Sequence, residues 1–193
     1  MLSALGHLLA AATKSKQAND TWTCDHPAPM DSAFDATKYM GKWYGQLHTA
    51  NQAHQSDLDK CVTVEYTDLD DEGNFKVYNS SHGRYYWIPR FGVHGQAKCP
   101  SDQGSGQCFV RFFAPLVQWT DEPNYIIVDT DYDNYSIVYS CDGHEMLALW
   151  IMSREPTISD EMKATLTAKA FAALPTYPQD QLTSDIQTDQ CTY

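Results

Sequence analysis

The sequence predicts an all-β protein of eight successive strands followed by one helix. From about residue 42 onward, apolar and polar residues alternate with a period of two, as in half-buried strands. Short segments rich in Asp, Asn and Gly separate neighbouring runs, and short connections give antiparallel pairing. Eight strands at regular spacing indicate either a sandwich or an up-and-down barrel. The predicted strands span residues 42–50, 61–67, 74–80, 84–98, 108–114, 124–130, 135–141 and 146–153.

A single amphipathic helix follows the last predicted strand. Ser159 is a favoured N-cap residue, and the acidic residues after it suit the first turn of a helix. The run must stop before Pro175, which cannot continue a helix. Apolar residues recur on one face, which we expect to lie against the strands. These residues are Met162, Leu166, Ala170 and Leu174.

Composition excludes several classes of protein. The chain has 193 residues, of which 42% are hydrophobic and 20% charged, so it suits one folded domain. Thirteen basic residues against 25 acidic ones give a net charge of −12. This charge disfavours binding to nucleic acids and to anionic membrane surfaces, which would repel the protein. No apolar run approaches the ~18 residues that a membrane-spanning helix needs.

The N-terminal residues 1–23 form a separate segment, and we expect the folded domain to span residues 24–193. A short apolar stretch at 2–9, followed by Ala10–Ala12, is typical of a signal peptide. However, no basic region precedes it, so a short amphipathic helix that is retained explains it as well.

The chain has six cysteines but no CxxC pair, which argues against a zinc ribbon and against a thioredoxin-like protein. They allow 15 pairings, and disulfides would place the protein in an oxidising, extracellular setting. One bridge is suggested locally, because Cys99 and Cys108 flank a loop sequence that can bring its ends together. The histidines show no HxH or HExxH spacing, so no metal site is predicted.

Charged residues indicate which face of each strand points inward. In the second strand Glu65 must face water, and in the third Lys76 must do so, which turns their neighbours inward. Arg111 and Glu145 orient the fifth and eighth strands in the same way. An inner face of this kind suits a pocket for a lipophilic ligand, but also a solid core without a cavity. The inward residues are Val64, Tyr66, Val77, Asn79, Val110, Phe112, Tyr125, Ile127 and Trp150.

Three short motifs carry a family resemblance. Gly41–Tyr44 opens the first strand and resembles the GxW motif of lipocalins. Thr130–Tyr132 matches the second lipocalin motif, TDY, and Arg154 stands where the third has its arginine. Their order and spacing, and the helix after the last strand, resemble the apolipoprotein D-like branch. That branch has pigment-binding relatives such as crustacyanin and the bilin-binding lipocalins.

The resemblance implies an eight-stranded antiparallel up-and-down barrel with one C-terminal helix packed outside. It implies that Arg154 lies across the face of Trp43 at the closed end, and it adds Val138 to the lining residues. It also implies the disulfides Cys24–Cys141 and Cys61–Cys191, which leave Cys99–Cys108 as the third. With every cysteine paired, no thiol remains for catalysis, and no enzymatic activity is expected.

In function, the resemblance implies a secreted carrier that holds a small hydrophobic ligand in the barrel. A pigment chromophore is favoured, either a carotenoid such as astaxanthin or a bilin. Transport of a sterol or fatty acid is the alternative, and an enzyme built on the same fold is a further one.

The segment Arg84–Arg90 is longer and more aromatic than its apolipoprotein D counterpart, and it overlaps the aromatic and apolar segment Tyr85–Phe91. Such a concentration of apolar groups near a barrel mouth typically marks a partner surface. It therefore predicts a homo-oligomer, with a lid folded over the ligand as the alternative.

Overall fold

The computed structural model describes residues 23–30, 32–50, 55, 59–83, 90–141 and 147–193. Within these ranges it contains two α-helices and nine strands. The helices are α1 (Ala36–Tyr39) and α2 (Asp160–Ala173). The strands are β1 (Gly41–Thr49), β2 (Lys60–Thr67), β3 (Asn74–His82), β4 (Phe91–Lys98), β5 (Gln107–Phe112), β6 (Tyr125–Thr130), β7 (Tyr135–Cys141), β8 (Leu147–Ser153) and β9 (Leu182–Ser184).

Strands β1 to β8 form a closed antiparallel barrel, as predicted. Each strand pairs with the next along the chain, and β1 pairs with both β8 and β2, which closes the sheet. The bounds of the strands agree with the predicted ones to within two residues where both are described. Residues 84–89 of the predicted fourth strand and residue 146 of the eighth lie outside the described residues.

Strand β9 was not predicted from the sequence. It pairs antiparallel with the last part of β1, where Leu47 lies opposite Ser184 and Thr49 opposite Leu182. Strand β1 pairs with β2 only as far as Tyr44, so the backbone of its second half needs another partner along this edge. The C-terminal tail supplies that partner.

The two faces of the sheet pack against different parts of the protein. On β7 and β8, alternate side chains such as Ile137 and Leu149 pack outward against α2. Their neighbours Val138 and Trp150 pack into the barrel interior. The predicted helix is confirmed: the Ser159 hydroxyl caps it by accepting from the Met162 amide at 3.2 Å. Its predicted apolar face packs against the sheet through Met162, Leu166, Ala170 and Leu174.

One end of the barrel, called the closed end below, is sealed by Arg154 and Trp43. The guanidinium of Arg154 lies 3.6 Å from the centre of the Trp43 ring, which is fully buried. The Trp43 indole in turn donates to the Tyr39 carbonyl at 2.9 Å. This confirms the role implied by the resemblance. Arg154 also donates to the carbonyl oxygens of Lys38, Tyr39, Lys42 and Tyr132.

Three disulfides connect Cys24 to Cys141, Cys61 to Cys191 and Cys99 to Cys108. All three agree with the predicted pairing, and they account for all six cysteines. The first two bridges fasten Cys24, which precedes the barrel, and the C-terminal tail to barrel strands β7 and β2.

Candidate ligand-binding site in the barrel

Nine of the ten predicted lining residues pack in a single interior cluster. The strand register explains this, because residues directly opposite each other in a sheet point to the same face. Tyr66 lies opposite Val77, and Val138 lies between Ile127 on one side and Trp150 on the other. The nine residues are Val64, Tyr66, Val77, Val110, Phe112, Tyr125, Ile127, Val138 and Trp150.

Asn79, the tenth predicted residue, lies on the same face but is exposed. It stands opposite Val64 of β2 and Val93 of β4, in a register that runs without a shift through Val77. Val64 and Val77 are buried, whereas Asn79 is open to solvent. Solvent therefore reaches the inner face of the barrel at the level of Asn79.

The interior is sealed at the closed end and accessible toward the opposite, open end. Odd-numbered strands run away from Trp43, so Asn79 late in β3 and Phe112 at the end of β5 lie toward the open end. Phe112 and Trp150 are half-buried, in keeping with an accessible wall. An aromatic floor closes the other side, with neighbouring rings 5.2 to 5.6 Å apart. It consists of Tyr39, Trp43, Tyr66 and Phe75.

Polar groups enter this interior as a hydroxyl cluster formed by Tyr39, Tyr66, Tyr125 and Ser136. The Tyr39 hydroxyl lies 2.8 Å from the Ser136 hydroxyl and 3.4 Å from that of Tyr125. Tyr66 and Tyr125 also share a hydrogen bond. Burial raises the pKa of Tyr39 to about 12 and the pKa values of Tyr66 and Tyr125 well above 10. The cluster is therefore neutral at physiological pH.

Two members of this cluster, Tyr39 and Ser136, were not predicted from the sequence. Tyr39 belongs to α1, which is too short to produce a periodic signal. Ser136 shares the inner face with Val138 by strand parity, and parity was the signal that would have found it.

Trp150 is held by a second polar network, which the sequence also did not reveal. Its indole nitrogen donates to the Gln55 side chain at 3.3 Å, and Gln55 donates to Asp185 at 2.7 Å. The same Asp185 oxygen lies 3.0 Å from Nδ1 of His48, and both side chains are 1% exposed. A Cβ at Gly45 would lie 2.6 Å from the Asp185 carboxylate, so glycine makes room for it. The C-terminal tail thereby fixes the orientation of the Trp150 ring.

The family model of the lipocalin-like domain matches residues 34–185 of the chain. The chain belongs to the lipocalin family. Among its curated relatives, the outer membrane lipoprotein Blc of Citrobacter freundii is 32% identical over 76% of this chain and 80% of that protein. Bovine apolipoprotein D is 29% identical over 83% of this chain and 80% of that protein.

Solved lipocalin structures share the fold. Lobster apocrustacyanin A1 superposes with a TM-score of 0.64 at 20% identity, covering 92% of this chain and 97% of that one. Insecticyanin from the tobacco hornworm Manduca sexta gives a TM-score of 0.67 at 22% identity, over 89% and 90% of the two chains. Both therefore support the lipocalin architecture described above.

The open end of this lipocalin carries exposed apolar side chains. Phe91 is 53% exposed, and Phe113 and Leu116 in the loop after β5 are 64% and 88% exposed. Residues 85–89 of the predicted association segment lie outside the described residues, so the homo-oligomer stays a prediction. Among the described residues, no group of His, Cys, Asp and Glu side chains is arranged to hold a metal. No helix in those ranges is long and apolar enough to cross a membrane.

Proposed function

We propose that this lipocalin binds a small hydrophobic ligand inside its barrel, and that the ligand is a pigment chromophore, either a carotenoid or a bilin. The observation that carries the proposal is the inner wall itself. It combines one apolar and aromatic cluster with an exposed inward position at Asn79. A mainly apolar lining with a few placed polar groups is typical of pockets for small hydrophobic molecules.

The choice of a pigment depends on the resemblance to the pigment-binding branch and on the aromatic wall. A sterol or fatty acid would suit the same apolar lining. A flat conjugated ligand gains additional contact from stacking on the Trp150 indole, whose orientation the Gln55 hydrogen bond fixes. We therefore favour the conjugated ligand.

We propose a carrier role rather than catalysis, and an extracellular location. All six cysteines are in disulfides, which leaves no thiol for nucleophilic chemistry. Three disulfides fit an oxidising compartment, in which such bridges persist. Mass spectrometry and an absorption spectrum of protein purified from its native source test the ligand class directly. A visible absorption band that co-purifies is expected, whereas a bound sterol or fatty acid would contradict the pigment assignment.

Replacement of Trp150 by alanine tests the binding wall. We expect Trp150→Ala to weaken binding of the co-purified ligand about tenfold or more, which corresponds to ~1.4 kcal/mol of lost contact. Titration of the apoprotein, followed by quenching of tryptophan fluorescence, measures this. The substitution also lowers the stability of the apoprotein, so its urea unfolding must be measured separately.

Trp119→Ala is the matched control. Trp119 lies on the outside of the barrel, with Lys98 4.9 Å and Arg111 4.3 Å from its ring. Its loss is expected to leave ligand affinity unchanged. A folded Trp150→Ala variant that kept the affinity and spectrum of the parent would contradict the proposed wall.

A further inference from the structure

The turn between β6 and β7 carries an acceptor sequence for N-linked glycosylation. Residues 134–136 fit the pattern Asn-x-Ser/Thr without proline at the middle position. Residues 79–81 in β3 fit the same pattern, as do residues 19–21, which lie outside the described residues. The pattern is short and arises often by chance, so it does not decide by itself which asparagine is modified. The surroundings of Asn79 and Asn134 differ, and they distinguish the two.

Asn134 lies at an exposed turn that has room for a sugar. Asn134, Asp131 and Asp133 are all exposed, so a glycan would meet water and polar side chains. In the described part of the chain, Nδ2 of Asn134 donates one hydrogen bond, to the Asp131 carboxylate at 2.8 Å. An amide nitrogen carries two hydrogens, and an N-linked sugar replaces only one of them. The turn can therefore carry a glycan and keep this hydrogen bond.

The same turn lies at the closed end of the barrel. The Asn134 carbonyl accepts from the Arg154 amide at 3.0 Å, and the Arg154 side chain stacks on Trp43 to seal that end. A glycan on Asn134 would extend into water beyond the closed end. It would therefore leave the open end, through which the inner face is accessible, unobstructed.

Asn79 offers no comparable room. It lies within β3 and is paired with Val64 of β2 on one side and Val93 of β4 on the other. It shares the inner face of the barrel with the buried Val77, two positions earlier. A glycan attached there would begin inside the open end and fill the opening.

Ser136, the third residue of the turn sequence, indicates when a glycan must be attached. The acceptor pattern requires its hydroxyl, which in the folded protein is buried and lies 2.8 Å from the Tyr39 hydroxyl. Attachment must therefore precede the pairing of β7 with β6 and β8. After folding, the structure needs only to leave space for the sugar, and it does so at Asn134.

We propose that Asn134 carries an N-linked glycan in the folded protein and that Asn79 does not. This inference rests on the extracellular location in the proposed function, because such glycans belong to surface loops of secreted proteins. It adds a modification site at the closed end and the chemical class of the modification, an oligosaccharide.

The chemistry is a transfer of the oligosaccharide from a lipid-linked pyrophosphate donor. A bond forms between Nδ2 of Asn134 and the anomeric carbon of the first sugar. The bond between that carbon and the pyrophosphate oxygen breaks, and the lipid pyrophosphate leaves with the electron pair. Nδ2 loses one proton, so no oxidant or reductant is needed.

Peptide mass spectrometry of the full chain tests the assignment. The chain is secreted from a eukaryotic cell line behind a supplied signal sequence, reduced, and treated with peptide N-glycosidase in water labelled with heavy oxygen. The enzyme converts a glycosylated asparagine into labelled aspartate. Several lysines and arginines lie between positions 79 and 134, so trypsin places the two acceptors in separate peptides. We expect the label at position 134 and none at position 79.

Substitutions within the two acceptor sequences provide matched variants. Asn134→Gln removes the acceptor nitrogen's position, and Ser136→Ala removes the required hydroxyl while leaving Asn134 in place. Both are expected to abolish the glycopeptide that contains position 134. Asn79→Gln is the control and should leave that glycopeptide unchanged. Circular dichroism verifies that each secreted variant is folded.

Each outcome supports or overturns the assignment. Secreted, folded parent protein without label at position 134, or with label at position 79, overturns the inference and leaves the proposed function standing. A glycopeptide at position 134 that persists in Ser136→Ala also overturns it. Protein that resides in the cytosol of its native source with reduced cysteines overturns the inference together with the proposed extracellular location.

Discussion

A single arginine determines how the closed end of the barrel is sealed. Arg154 stacks on the buried Trp43 and donates to four backbone carbonyls, from α1, the start of β1 and the loop after β6. The planar guanidinium can do both at once because its N–H donors lie in its own plane and its two faces remain free for stacking. A lysine ammonium keeps the charge but has neither the plane nor enough donors.

We therefore expect Arg154→Lys to lower the free energy of unfolding by about 2 kcal/mol, from lost stacking and charged hydrogen bonds. Urea unfolding at neutral pH measures it. Arg111→Lys is the matched control. Arg111 stacks on Trp119 at 4.3 Å and donates to Gln96 at the exposed surface, so its replacement should lose less than about 1 kcal/mol. Equal losses for the two variants would contradict the sealing role of Arg154.

At the scale of elements, helix α2 is held to the barrel by an apolar face and by one polar link. The Lys169 ammonium donates to Asp129 at 2.8 Å and to the Tyr135 hydroxyl at 3.0 Å, and Tyr135 donates to the same carboxylate. The hydrogen bond to Asp129 is the main reason why the pKa of Lys169 is raised. A raised pKa in the folded state means that the charged amine stabilises the fold.

This stabilisation is complete below the unfolded pKa of lysine, near 10.4, and is lost as the pH rises through the folded value. Because the Lys169 side chain is 48% exposed, we expect Lys169→Met to lower the free energy of unfolding by only about 0.5 to 1 kcal/mol at pH 7. The difference from the parent should shrink above pH ~10.4. Lys163→Met on the same helix, which has no ion pair with a described residue, is the control. If the stability difference between the parent and Lys169→Met persisted at high pH, it would contradict an electrostatic origin of the stabilisation by Lys169.

Periodic elements were predictable from the sequence, whereas the elements set by tertiary contacts were not. The alternation around Lys76 and Arg111 fixed the inner face of β3 and β5, because a charged residue there must meet water. Strand β9 has three residues and no periodicity, and forms because the tail is held beside β1. The same limit applies to the site. Its wall follows from parity, but Tyr39 and Asp185 enter it from a four-residue helix and from the tail.

For the whole molecule, disulfides fix Cys24, which precedes the barrel, and the C-terminal tail to the barrel. Cys24–Cys141 and Cys61–Cys191 close loops of 117 and 130 residues, whereas Cys99–Cys108 closes one of 9. Hydrogen bonds also hold the tail to the barrel. The Cys61 amide, for example, donates to the Ile186 carbonyl at 2.8 Å. The tail then carries Asp185 to Gln55 and so to Trp150 on the inner face of the barrel.

The two kinds of bridge should therefore differ in their effects on stability and on binding. In the chain-entropy model, removal of the bridge that closes the 130-residue loop lowers the free energy of unfolding by ~5 kcal/mol. Removal of the bridge that closes the 9-residue loop lowers it by ~2.5 kcal/mol. We expect Cys61→Ser/Cys191→Ser to be the less stable double variant by roughly 2 kcal/mol in urea unfolding. It should also weaken ligand binding, because a released tail no longer holds Trp150 through Asp185 and Gln55. Cys99→Ser/Cys108→Ser, at the end of the barrel away from the mouth, should weaken binding less, because the tail still holds Trp150. Equal ligand affinity of the two folded variants would contradict the role of the tail in holding Trp150 on the inner face of the barrel.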